Sequence, residues 1–222
     1  TIKCIEAARG GLGRTLLEKV VLHKPETVSL LKIQYRMHED IMRFPSRWFY
    51  HDELEAAPEV KYRGILDFDT PVSWIDTSEL DLQEKAVAEG TGRLNTGEAE
   101  LLVRELKNYM ERIGIRRILE EHIDFGVISP YRAQVHYLRH LLKKEPFFRP
   151  CRRLITVHTV DGFQGQERDV IMISLVRANE KGQIGFLRDL RYECSHYPGP
   201  DEITDFGRSG DVDQTSFLPR VV

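Results

Sequence analysis

An α/β fold built on a mainly parallel sheet is the architecture this sequence predicts. Three observations carry the prediction. "FGVIS" (125–129), "LITVHTV" (154–160) and "VIMISLV" (170–176) are short runs, apolar on both faces, with the length of buried strands. Amphipathic segments at helical spacing alternate with them, the pattern of strands joined by crossover helices. The chain has no internal repeat, so one sheet flanked by helices accounts for it.

Taken in order, "GRTLLEKVVLHK" (13–24) spaces its apolar residues as a helix, and Pro25 stops it. Val28 to Ile33 reads as a buried strand that delivers "QYRMH" (34–38). His38 to Tyr50 begins as a helix that Pro45 interrupts. Residues 51–94 are acidic and irregular, with one short strand at "VSWID" (72–76). "NTGEAELLVRELKNYMERI" (95–113) is a helix capped by Asn95 or Thr96, with Glu98 in its first turn. Pro130 suits a first helical position, and Ala133 to Lys143 is amphipathic. From Tyr192 onward the chain loses all period and reads as a disordered tail.

Composition narrows the function classes. At 222 residues, 41% hydrophobic and 30% charged, this is an ordinary globular chain. No apolar run approaches the roughly 20 residues of a membrane span, so no membrane association is expected. Cys4, Cys151 and Cys194 are odd in number and far apart, which fits neither a disulfide framework nor a zinc site. A reducing, cytoplasmic compartment is the expectation. Because the chain opens at Thr1 rather than Met, we expect a piece of a longer protein. The net charge of -3 hides an asymmetry. Residues 51–90 carry eleven acidic against three basic residues, whereas residues 130–160 carry seven basic against one acidic. A basic block is most often a solvated helix face, yet it is also the footprint that binding a phosphate backbone needs.

Two glycine-rich stretches invite a phosphate. "AARGGLGRT" (7–15) fails the phosphate-loop pattern, since Ala8 stands where the first glycine belongs and Arg14 where the lysine belongs. A helix cap is the better reading. "TVDGFQGQERDVIMISLVRAN" (159–179) is more informative, because Gly162 and Gly165 permit tight turns between two strands. Glu167 there either accepts hydrogen bonds from a ribose or pairs with Arg168. Three strand ends, Gln34 to His38, Ser129 to Tyr131 and Arg177 to Asn179, are expected to crowd one sheet edge with this loop. Ligands bind at such carboxyl edges in open α/β sheets.

Together "QYRMH", "FPSRWFY", "GVISPYRAQ", "VDGFQGQERDVIMISLVRAN" and "GFLRDLR" closely resemble the second RecA-like motor domain of superfamily 1 helicases. The branch is that of the nonsense-mediated-decay helicase and its bacterial relatives. The resemblance runs from Thr1 to Arg191, with five motifs in order. It implies a RecA-like P-loop NTPase-type α/β fold over residues 28–191, with residues 1–27 connecting from a missing first motor domain. It implies that ATP with Mg²⁺ is bound mainly by that missing domain. Arg36 would reach the γ-phosphate and stabilise transition-state charge. Tyr35 would stack on the adenine, Gln34 would share the nucleotide site, Glu167 would contact the ribose, and Gln164 and Gly165 would sense the phosphates. Ser129, Pro130, Tyr131, His158, Thr159 and Arg177 would face single-stranded DNA or RNA. The structural alternatives are core packing for Tyr35, a satisfied strand end for His158 and an internal ion pair for Arg177.

The resemblance breaks after Arg191. The family continues into a sixth motif, RRMNVAxTRAR, which carries a second catalytic arginine, whereas this chain reads "YECSHYPGP" (192–200). Reading the same codons one base later permits MNVAITRAR. Residues 192–222 are therefore expected to be an out-of-frame tail that leaves the sheet short of its last strand. The isolated chain, with one arginine and no phosphate loop, is expected not to hydrolyse ATP. A second reading is a non-catalytic nucleic-acid or protein interaction module that uses the basic face alone.

Overall fold

The computed structural model describes residues 6, 8–13, 15–67, 70–77, 79–87, 92–179 and 217–221. A mixed α/β fold results, with a largely parallel sheet flanked by helices, as a RecA-like domain requires. Helix α1 (Leu16–His23) starts at Thr15, whose Oγ1 accepts from the Glu18 amide while the Glu18 carboxylate accepts from the Thr15 amide. This reciprocal cap satisfies two otherwise orphaned donors. Strand β1 (Ile33–Gln34) and β2 (Glu55–Ala56) pair in parallel as a separate two-stranded sheet. Helix α2 (Glu39–Phe49) lies between them, and a helical turn α3 (Pro58–Lys61) follows.

The main sheet has the order β3-β9-β8-β6-β7, where β3 is Val72–Asp76, β6 Phe125–Ile128, β7 Ile155–His158, β8 Val170–Ile173 and β9 Phe217–Val221. Strands β6, β7 and β8 are parallel, while β9 runs antiparallel between β8 and β3. A small hairpin, β4 (Lys85–Ala86) with β5 (Arg93–Leu94), lies before α4 (Thr96–Ile113). Helices α5 (Ile115–Glu121) and α6 (Arg132–Lys144) complete the flank. Leu102, Leu106 and Met110 of α4 and Leu138 and Leu142 of α6 form one core with Phe125, Val127 and Val170. On the opposite face the ring of Phe163, at the end of turn α7 (Val160–Phe163), fills the space over Gly126.

Four expectations change. Val28 to Ile33 is no buried strand: Leu31 is 85% exposed, and only Ile33 extends into β1. Pro45 does not interrupt α2, which runs through it because Met42 and Ser46 anchor the inner face and the Ser46 carbonyl accepts from Tyr50 and Asp52. Pro130 lies outside the helix it was expected to open, since Tyr131 is the cap and α6 starts at Arg132. The sheet also gains a strand where one was expected to be lost, because Phe217–Val221 pairs with the free edges of β3 and β8. Unpaired strand edges are templates for any extended segment. "GFLRDLR" (185–191) and residues 192–216 lie outside the described residues.

Candidate nucleotide and nucleic-acid site

Gln34 shapes the first part of the site. Its Oε1 accepts from the amides of Arg36 and Met37 at 2.9 and 2.8 Å, and its Nε2 donates to the Met37 carbonyl at 2.7 Å. These bonds fold 34–37 into a turn, and His38 then caps α2 by accepting from the Asp40 amide at 3.0 Å. Tyr35 is left 68% exposed, which rules out the core-packing alternative. Arg36 spans 131 positions of sequence to reach Glu167, with Nε and Nη2 each 2.8 Å from the same carboxylate oxygen. Both partners are exposed.

The loop that carries Glu167 is braced by Arg168. Its guanidinium donates to Gln166 Oε1 at 2.8 Å, to Thr156 Oγ1 at 3.2 Å and to the Glu167 carbonyl, and it lies over the Phe163 ring. Arg168 thus binds the Glu167 backbone and leaves its carboxylate to Arg36. Gly165 takes φ 80°, a left-handed turn that glycine adopts freely, and Gln164 precedes it as an exposed residue. Asp124 and Asp169 then exchange backbone bonds, each amide donating to the other's carboxylate at 3.0 and 2.9 Å. This clasp sits where β6 and β8 begin. Burial pushes the Asp124 carboxyl above its ordinary range.

The second group lies at the other end of the same strands. The Ser129 amide donates to the His158 carbonyl at 3.2 Å, joining the ends of β6 and β7. Ser129 Oγ is buried without a hydrogen-bond partner among the described residues. Pro130 follows it, half-buried, and Tyr131 is buried at the cap of α6. Burial raises the Tyr131 phenol, and the neighbouring Arg177 opposes that rise. His158 Nδ1 accepts from the Thr159 amide at 3.0 Å, and its ring fills the space against Gly162. Arg177, its side chain only 9% exposed, places Nε 3.2 Å from Glu84, which also meets Arg93 at 3.4 Å. An internal ion pair therefore engages Arg177.

The expected single cluster is two. Gln34, Tyr35, Arg36, Gln164, Gly165 and Glu167 gather toward the amino ends of β6 and β8, with β1 outside the main sheet. Ser129, Tyr131, His158 and Arg177 gather at the carboxyl ends. Within the basic block, Arg139 is spent on the Val157 carbonyl at 2.6 and 3.1 Å, so only part of that charge faces outward.

A buried polar group escaped the sequence reading as a unit: Asn95, Glu98, Gln134 and Ser174 are all fully buried. The signal was present, since Glu98 precedes buried Leu101 and Leu102 by three and four positions and so lies on the apolar stripe of α4. Burial raises the Glu98 carboxyl above its ordinary value, against the bonds it accepts from Val176, Ser174 and Leu175. Among the described residues no cluster of three His, Cys, Asp or Glu is placed to hold a metal, and no helix is long and apolar enough to cross a membrane.

Comparison with known proteins shows the family. A family model described as an AAA domain matches residues 12–194. The DNA polymerase alpha-associated DNA helicase A of Saccharomyces cerevisiae is 37% identical over 199 residues, covering 81% of this chain and 28% of that protein. An uncharacterized ATP-dependent helicase of Methanocaldococcus jannaschii is 35% identical over 195 residues, covering 81% and 26% respectively. A regulator of nonsense transcripts 1 homolog of Drosophila melanogaster is 34% identical over 197 residues, covering 86% and 16%. The chain thus spans under a third of the length of these relatives. It belongs to the AAA domain family, as a superfamily 1 helicase domain.

Proposed function

We propose that this chain is the C-terminal motor domain of an ATP-dependent nucleic-acid helicase or translocase. The observation that carries the reading is the exposed Arg36–Glu167 pair, which joins "QYRMH" to the glycine loop. Exposed ion pairs of this kind contribute at most about 1 kcal/mol, so phosphate and ribose displace the partners from each other readily. Arg36 then offers a planar, permanently charged guanidinium to the γ-phosphate, where charge builds in the transition state. Glu167, released, accepts from a ribose hydroxyl, and the exposed face of Tyr35 receives the adenine. Gln164 and Gly165 lie beside the phosphates, with the left-handed turn at Gly165 allowing close approach. These residues fit an anionic nucleotide, and in this reading an upstream motor domain would supply the phosphate loop and the Mg²⁺ ligands. Mg²⁺, when bound with ATP, would supply neutralising positive charge to the phosphates.

In this reading half-buried Pro130, His158 and Thr159 offer the face for single-stranded DNA or RNA at the opposite ends of the strands, with buried Ser129 and Tyr131 and the ion-paired Arg177 behind them. Alternating closure of two motor domains around ATP then moves the strand along this face. We infer also that residues 192–222 are out of frame, which removes the second arginine and leaves the chain inactive alone. The encoding nucleotide sequence tests this directly, since the shifted frame must spell a Thr-Arg-Ala-Arg run.

The decisive experiment measures ATP hydrolysis in the two-domain protein with its sixth motif in frame. Arg36→Ala should lower the rate on the order of a thousand-fold while nucleotide still binds. Undiminished hydrolysis would overturn the role given to Arg36. A two-domain protein that binds single strands yet never hydrolyses ATP would instead favour the interaction-module reading.

A further inference from the structure

Val176 adopts φ 72°. A β-branched residue in the left-handed region is a true outlier, because its branched side chain crowds the backbone there. Such a conformation persists only where surrounding contacts over-determine it. Here they do. The Val176 amide donates to Glu98 Oε1 at 3.1 Å, and its carbonyl accepts from Asn95 Nδ2 at 3.4 Å. The same Glu98 oxygen accepts from Ser174 Oγ at 2.8 Å, two residues earlier. Gln134 Nε2 donates to Ser174 Oγ at 3.0 Å and to the Asn95 carbonyl at 2.9 Å, while its Oε1 accepts from the Asn95 amide. Helices α4 and α6 thereby reach the end of β8 through one connected set of bonds.

The kink falls between the end of β8 and Arg177. Beyond it Ala178 is held at both polar groups: its amide donates to the Glu84 carboxylate at 3.2 Å, and its carbonyl accepts from the Glu84 amide at 3.3 Å. Four fully buried polar side chains are a poor way to fill a core that apolar residues would fill without any need for partners. Glu98 and Asn95 bond the Val176 backbone directly, while Gln134 and Ser174 reach it only through those two. We propose that Asn95, Glu98, Gln134 and Ser174 are positioning residues: they lock Val176 in its left-handed turn and so fix where the Arg177–Glu84 pair stands behind the single-strand face. The functional half of this inference rests on the helicase reading of that face.

Amide hydrogen exchange on the full chain tests the lock without any ligand. Glu98→Leu keeps the volume but removes the acceptor, and should speed exchange at residues 175–179 roughly tenfold while β6 amides stay unchanged. Glu98→Gln retains a carbonyl acceptor and should restore protection. Adding Val176→Gly, which adopts a left-handed φ without cost, should shrink the effect of Glu98→Leu. Unchanged exchange at 175–179, or an equal rise in β6, would overturn the lock. If Glu98→Leu does not fold, Ser174→Ala carries the same comparison with less lost volume.

A short fluorescein-labelled homopolymer strand, as DNA and as RNA, tests the functional half. Glu98→Leu should weaken its binding severalfold and Glu98→Gln should not. Wild-type affinity in a Glu98→Leu variant whose 175–179 amides are loosened would overturn positioning. No binding by the wild type would sink the strand-face reading and with it the functional half, while the exchange result still decides the lock.

Discussion

A methyl group at residue 162 has nowhere to go. Its Cβ would lie 1.7 Å from His158 Nδ1 and 2.1 Å from His158 Cε1, and that ring is tied in place by the Thr159 amide. Gly162→Ala should therefore either expel His158 or shift α7. We expect a loss of roughly 1–3 kcal/mol in denaturant unfolding, as overpacking costs elsewhere. An unchanged midpoint would show that His158 moves aside freely. Glu98 makes a different prediction. Burial raises its carboxyl above the ordinary 4.5, so the folded state holds its proton more tightly than the unfolded chain. The stability this gives is complete below 4.5 and is lost as pH rises through the folded value. Glu98→Gln cannot titrate. Its stability relative to wild type should thus climb with pH from acid upward and then level off. Urea midpoints of the two proteins that run parallel across this range would rule out burial as the control.

Helix α2 shows what a single element hides. Proline inside a helix removes one bond and crowds the preceding turn, which led the sequence reading to break the helix there. Tertiary anchoring at Met42 and Ser46 overrides that preference, and Ser46 Oγ also accepts from the Leu54 amide at 3.1 Å. Pro45→Ala should then stabilise the chain by about 1–3 kcal/mol in thermal unfolding, and a fall would mean the kink itself is needed. Elements with both a cap and a stripe were legible: α4 begins at Asn95 as its pattern requires, and β3 matches "VSWID" residue for residue. The strands β7 and β8 were legible as apolar runs but not in length, because β8 ends before the left-handed turn at Val176, which no propensity reveals. The motif singles out Arg36, while its pairing with Glu167 needs the fold to bring two distant loops together. The Glu98 network was the least legible, since a polar residue on an apolar stripe names no partner.

Across the whole molecule, apolar surface and sheet completion pull against each other. The main sheet is closed by β9, which pairs along all of β3 but with β8 only through Val221 and Arg220, and Pro219 contributes no amide to either ladder. Among the described residues before 36, none is buried. Helix α1 has no buried residue, and Leu16 and Leu31 are 78% and 85% exposed. An apolar run reads alike whether or not anything covers it, which is why Val28 to Ile33 reads as a buried strand in the sequence. Leucines this exposed contribute almost nothing to the fold, yet apolar side chains left in water favour association. Leu16→Glu combined with Leu31→Glu should therefore leave the unfolding midpoint within about 0.5 kcal/mol of wild type, as surface changes do. Glu at position 16 also meets the positive end of α1 favourably. Sedimentation velocity over a range of concentrations should show less self-association in the double variant. A marked fall in unfolding midpoint would instead mean that this segment packs on the domain in solution, and the exposed face would have to be redrawn.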